Sequence, residues 1–147
     1  CVYNVYCKYS KFENKANLEV WNTSGVESFR RPLLVNMGHS NCILLCFDIT
    51  NRKSFENVDR VWLKNARLLL NCNPFVEYVL VGLKGDLDSE RQVSHSEAVQ
   101  YAATTLSAPY IEVSSLHDLD TNQCTFVSVL FAYIITAVFF RMKVMRV

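Results

Sequence analysis

Short β-rich runs alternate along the chain with longer stretches of helical period. Val2 to Phe12 is rich in β-branched and aromatic residues with polar interruptions, which predicts a strand. Glu13 to Asn17 reads as a polar turn, and Leu18 to Trp21 as a second strand. Cys42 to Phe47 is continuously apolar, the pattern of a strand buried on both faces. Val76 to Val81 repeats that pattern, and Tyr110 to Val113 does so more briefly. Between these runs, Phe55, Val58, Trp62, Ala66 and Leu69 recur at steps of three and four, so a helix capped by Thr50 or Asn51 is expected to about Leu70. Ser94 with Glu97 has the spacing of a capping box and starts a helix to about Leu106. Ser24 and Glu27 form a similar pair before Phe29. Strands joined by helical crossovers predict an α/β domain, a parallel sheet with helices on both faces.

The tail departs from this pattern. No charge occurs from residue 121 to 140, and Arg141, Lys143 and Arg146 follow. The strongly apolar part, Phe126 to Phe140, falls short of the roughly 20 residues of a membrane span. Ser128, Ala132 and Thr136 form a small-residue stripe of the kind that packs membrane helices. Two readings stand: a C-terminal helix packed on the sheet, which the length favours, or a segment in contact with a membrane.

Composition narrows the function classes. The chain has 147 residues, half of them hydrophobic, enough for one domain with a real core. A net charge of +1 gives no electrostatic basis for a nucleic-acid partner. Six cysteines without a C-x-x-C pair suggest free cytosolic thiols, with Cys42 and Cys46 buried on one strand face. The four glycines, Gly25, Gly38, Gly82 and Gly85, form neither a G-x-x-x-x-G-K-[ST] loop nor a G-x-G-x-x-G loop.

Three segments nevertheless carry nucleotide chemistry as a set. They are Trp21 to Glu27 (WNTSGVE), Val81 to Leu87 (VGLKGDL) and Ile111 to Leu116 (IEVSSL), each at the end of an expected strand. In open α/β sheets ligands bind outside the carboxyl ends of strands. With WNTSGVESFR (21–30), DITNRKSFENV (48–58), LVGLKGDL (80–87) and RQV (91–93), the chain resembles Ras-superfamily small GTPases, most of all the Rab branch and next the Rho branch. The resemblance covers about residues 18 to 120. It implies a P-loop-NTPase-like three-layer α/β sandwich, with residues 1–120 a truncated small-GTPase-like domain and 121–147 the apolar helix. The phosphate loop, first helix and first strand are expected upstream of residue 1. Without that central strand, the strands at 18–21 and 42–48 lose their shared neighbour and need new backbone partners.

The resemblance also assigns roles. Asp86 matches the carboxylate that reads guanine, Lys84 the lysine whose stem lies over the purine, and Gly25 the glycine that meets the γ-phosphate. Ser114, Ser115 and Leu116 match the last base-site motif, with Ser115 offering its N–H to the base. Departures accompany these matches. Asn22 stands at the magnesium aspartate, Val26 at the water-orienting glutamine, and Leu83 at the asparagine of the base motif. The family's prenylated C-terminal cysteines have no counterpart in Val144 to Val147. Implied are GTP or GDP with magnesium, bound weakly or not at all, and effector or regulator proteins as partners. The implied role is a Rab-like switch in vesicle traffic, in the cytoplasm or on the cytoplasmic face of an intracellular membrane, with impaired GTP binding and hydrolysis. The alternative is a nucleotide-free pseudo-GTPase acting as a protein-interaction module.

Overall fold

The computed structural model describes residues 4–12, 15–23, 40–70, 76–114, 133 and 136. Five strands form one sheet: β1 (Asn4–Phe12), β2 (Lys15–Thr23), β3 (Cys42–Asp48), β4 (Glu77–Leu83) and β5 (Tyr110–Val113), in the order β2-β1-β3-β4-β5. β3, β4 and β5 are mutually parallel, as the crossover pattern predicts. The sheet as a whole is mixed, because β1 runs antiparallel to both β2 and β3.

The β1–β2 hairpin corrects one expectation and bears out another. β2 begins at Lys15 instead of Leu18 and runs to Thr23, so Lys15, Ala16 and Asn17 belong to the strand and pair with Phe12, Lys11 and Ser10. Backbone pairing overrides their low strand propensity. The second expectation concerns the missing neighbour, and it holds for β3. β3 finds a new partner in β1, through Val5, Tyr6 and Cys7 opposite Leu44, Ile43 and Cys42. That antiparallel seam satisfies backbone groups that would otherwise be buried unpaired.

β3 is apolar and buried from Cys42 to Phe47, on both its faces. Ile43, Leu45 and Phe47 join the core with Leu80 and the helices, while Cys42, Leu44, Cys46, Val79 and Val81 are also buried. The first crossover is helical from Arg52 to Leu70, in three parts: α1 (Arg52–Asn57), a π-helical stretch (Val58–Leu63) and α2 (Lys64–Leu70). Four residues of its expected stripe, Phe55, Val58, Trp62 and Ala66, lie in the core, and the side chain of the fifth, Leu69, is outside the described set. Of the two cap candidates Asn51 caps the helix, its side chain accepting from the Ser54 N–H at 3.2 Å. The second crossover is α3 (His95–Tyr101) continued by a π-helical stretch to Leu106. Ser94 caps it through the Glu97 N–H at 3.2 Å. The Glu97 carboxylate does not close the capping box but pairs with Arg52 at 2.6 Å.

Gly82 is required by packing. A Cβ there would run into the Tyr110 hydroxyl and stand 3.1 Å from Ile49 Cγ2. Tyr110 cannot easily yield, since its ring stacks on Phe47 at 6.0 Å and its hydroxyl bonds Glu112 at 2.6 Å. We expect Gly82→Ala to lower unfolding free energy by about 1–2 kcal/mol through overpacking. Chemical denaturation checks this, and an unchanged midpoint would count against the close approach.

Ser24, Glu27, Gly25, Gly38 and the tail helix expected over 126–140 fall outside the described residues, apart from Tyr133 and Thr136, which are helical and exposed. No helix among the described residues is long and apolar enough to cross a membrane.

Candidate nucleotide site

Because β3, β4 and β5 are parallel, Asp48, Lys84, Asp86 and Ser114 all lie at or just beyond the same carboxyl edge. There the loop after β4 turns tightly. Lys84 adopts the left-handed backbone region at φ 63°, uncommon for a side chain of its size. The Leu87 N–H donates to the Lys84 carbonyl at 2.9 Å, and the Gly85 N–H to the Val113 carbonyl at 2.9 Å. The last bond ties the second sequence segment to the third.

A side-chain bond ties them again. The buried Ser114 hydroxyl donates to Asp86 Oδ1 at 2.5 Å. That bond fixes the Asp86 carboxylate while leaving acceptor capacity, because an ionised carboxyl offers about four lone-pair sites. Asp86 and Ser114, 28 positions apart in the chain, are therefore one unit.

Lys84 is held as well. Its ammonium lies 2.6 Å from Asp48 Oδ2. Asp48 is fixed in turn by Thr50, whose N–H and hydroxyl donate to Oδ1 at 2.9 and 2.7 Å. Desolvation pushes the Asp48 pKa up, but the Lys84 and Thr50 bonds and the Lys84 charge together outweigh it and hold the carboxyl below its ordinary range. The same bond raises the Lys84 pKa, its Coulombic attraction adding to it. Asp48 was not among the sequence candidates, although it ends an apolar run at a strand terminus inside the DITN segment.

Behind these residues a second network braces β5. Arg91 grips Glu112 through two bonds of 2.9 Å and reaches Asp88 at 2.6 Å. The Glu112 carboxyl is held below its usual range, chiefly by the Arg91 hydrogen bonds against the opposing effect of burial, with Tyr110 assisting. Arg91 belongs to the RQV segment and Glu112 to IEVSSL, so two motifs that carry the resemblance meet here.

Of the remaining candidates, described geometry brings Leu83 to this edge and not the others. Asn22 sits in β2, paired with Val5. Gly25, Val26, Ser115 and Leu116 lie outside the described residues. Leu83 closes β4 in register with Asp48 and Val113, and its carbonyl accepts the Ile49 N–H at 3.1 Å. Among the described residues no group of three or more His, Cys, Asp or Glu could hold a metal ion. A surface groove between Asp59, Arg60, Lys64 and Arg67 lies on the helix, and none of the site residues lines it.

A parallel β3-β4-β5 sheet with helical crossovers is the frame of an α/β domain of the P-loop GTPase type. The Ras family model matches residues 2–134, and the chain belongs to that family. Within it the likeness is to the Rab branch. Rab-2B of Dictyostelium discoideum is 38% identical over 90 residues, 61% of this chain and 43% of that relative. Rab-39A of Mus musculus is 41% identical over 102 residues, covering 69% and 45%. The rab-39 protein of Caenorhabditis elegans is 39% identical over 111 residues, covering 74% and 48%. The chain thus spans about half the length of the curated relatives it matches.

Proposed function

We propose that this chain is part of a Rab-like guanine-nucleotide switch of vesicle traffic whose own grip on nucleotide is impaired. The observation that carries the reading is the Asp86 carboxylate, held by Ser114 beside the Lys84 turn. A fixed carboxylate suits the two N–H donors of guanine N1 and N2, which adenine lacks. The fit is partial. Asp86, Lys84 and Ser114 suit the base, with the Ser115 N–H and Leu116 adjoining them in sequence. Gly25 would face the γ-phosphate. Asn22 replaces a charged magnesium ligand by a neutral one, and Val26 has no hydrogen bond with which to orient water. Magnesium, when bound, would supply charge neutralisation at the phosphates.

Titration with a fluorescent guanine nucleotide and magnesium tests this. Affinity weaker than micromolar is expected, and micromolar or tighter binding would refute the impairment. Val26→Gln alone should not start hydrolysis while Asn22 remains, which a single-turnover assay decides.

A second reading is a nucleotide-free pseudo-GTPase that binds effector or regulator proteins constitutively. Leu83 favours it, since an aliphatic side chain at the base-motif asparagine neither donates nor accepts. In both readings the place of action is the cytoplasm or the cytoplasmic face of an intracellular membrane; residues 126–147 are either a helix packed on the sheet, which their length favours, or a membrane contact. Liposome flotation that persists after removal of 126–147 would eliminate that contact.

A further inference from the structure

We propose that the groove on the first crossover helix docks an acidic segment of a partner protein, one that carries carboxylates around an apolar side chain. The groove has a volume of about 720 Å³ and is lined by Asp59, Arg60, Leu63, Lys64, Arg67 and Leu68. It lies where the π-helical stretch joins α2. Single π-helical turns inside α-helices recur at functional sites. No residue of the Lys84–Asp86 edge lines the groove, so docking here does not depend on how well that edge holds nucleotide.

Its cations are available to a partner. Arg60, Lys64 and Arg67 are all exposed. Glu56, one turn before Arg60, has its carboxylate on Arg52 at 3.5 Å. Among the described residues neither Arg60 nor Lys64 has an ion-pair partner. Arg67 is oriented without being neutralised. Its Nη2 donates to the Thr105 carbonyl at 3.1 Å, which leaves most of its N–H donors for a carboxylate. Beside these charges Leu68 is 65% exposed, more than any other large hydrophobic residue among those described. A lone exposed leucine is ordinary, but one flanked by three cations offers an apolar anchor inside a charged rim.

Asp59 decides the class of partner. Its carboxylate stands among the cations, and the Tyr101 hydroxyl donates to its Oδ1 at 3.2 Å. A nucleic-acid backbone or an anionic lipid surface carries negative charge throughout and would meet Asp59 with repulsion. The three cations also fall short of the roughly four to eight that mark a lipid-binding cluster. A protein segment can set carboxylates on Arg60, Lys64 and Arg67 and an N–H on Asp59. A mixed pattern of that kind fixes register as well as attraction.

Fluorescence anisotropy of the full chain with labelled peptides tests the proposal. One panel sets Asp and Glu around a single Leu or Phe, and a matched panel has Asn and Gln in their place. The acidic panel is expected to bind, more weakly as salt is added, and the amide panel about tenfold less tightly or worse. Arg60→Glu with Lys64→Glu should weaken the acidic peptides by about tenfold or more, since like charges then face each other. Leu68→Ser should weaken them by about three- to tenfold. Lys53→Glu, an exposed change outside the groove, should leave binding unchanged. All four positions are exposed, and unfolding midpoints verify that each variant keeps its fold. Absence of binding across the acidic panel, equal binding of the amide panel, or an equal loss from Lys53→Glu overturns the proposal. So does recruitment to phosphatidylserine vesicles, or self-association in sedimentation, that Arg60→Glu with Lys64→Glu abolishes while peptide binding persists.

Discussion

Phe47→Ala should lower the unfolding free energy by about 3–5 kcal/mol, the cost of emptying a filled aromatic position in a core. Phe47 is buried to within 1% and meets Phe55 edge-on at 4.8 Å. Its other face stacks on Tyr110, which starts β5. The cavity would therefore loosen both the first crossover helix and the strand that leads to Ser114. Urea unfolding should show a lower midpoint at an unchanged slope. A loss below about 1 kcal/mol would mean that neighbours collapse into the space and that Phe47 does not organise β5.

The next largest effect belongs to Arg91→Gln, expected to cost about 1.5–3 kcal/mol near neutral pH, the range for hydrogen bonds to charged groups. The substitution removes the two-bond grip on Glu112 and leaves a carboxylate whose side chain is only 19% exposed. The sign of its pH dependence follows from Glu112. Arg91 depresses the folded-state pKa of Glu112, so this stabilisation is complete above the unfolded glutamate value of about 4.3. It is lost as pH falls through the folded value, where the native carboxyl takes up its proton. The difference between wild type and variant should therefore be widest near pH 7 and narrow on acidification. Denaturation midpoints for both proteins at a neutral and an acidic pH measure it. A constant difference would show that Arg91 acts by packing alone.

Much of the parallel part of the fold was legible in the chain. Cys42 to Phe47 reads as a two-sided strand, because the run has strand length and a surface helix or one-sided strand would expose part of it. Phe55, Val58, Trp62 and Ala66 marked the buried face of the first crossover by period alone. The hairpin was less legible. Lys15 to Asn17 reads as a turn because single-residue propensities there are weak, and only pairing with Ser10 to Phe12 makes it strand. The antiparallel docking of β1 on β3 has no local signature. It joins residues about 35 positions apart, and local pattern carries no information about such a contact.

For the site, Lys84, Asp86 and Ser114 could be named from their segments, and the structure brings these three to one edge. Asp48 could not be, since its importance lies in an ion pair 36 positions away across the sheet. Arg91 and Glu112 were visible as parts of separate segments, while their mutual grip was not.

By itself the sequence determined most of the element types, the buried strands, the Ras-family affiliation and the residues of the candidate site. The elements and buried strands follow from side-chain period and apolar runs, the family and the candidate residues from the likeness of short motifs, all of them local properties. Only the tertiary structure decided that β1 takes the free edge of β3, that Ser114 fixes Asp86, and that Asp48 engages Lys84. Each of those depends on a close approach between distant parts of the chain. Such approaches are settled by the shared burial of the whole sheet and by the cost of leaving backbone and charged groups unpaired within it.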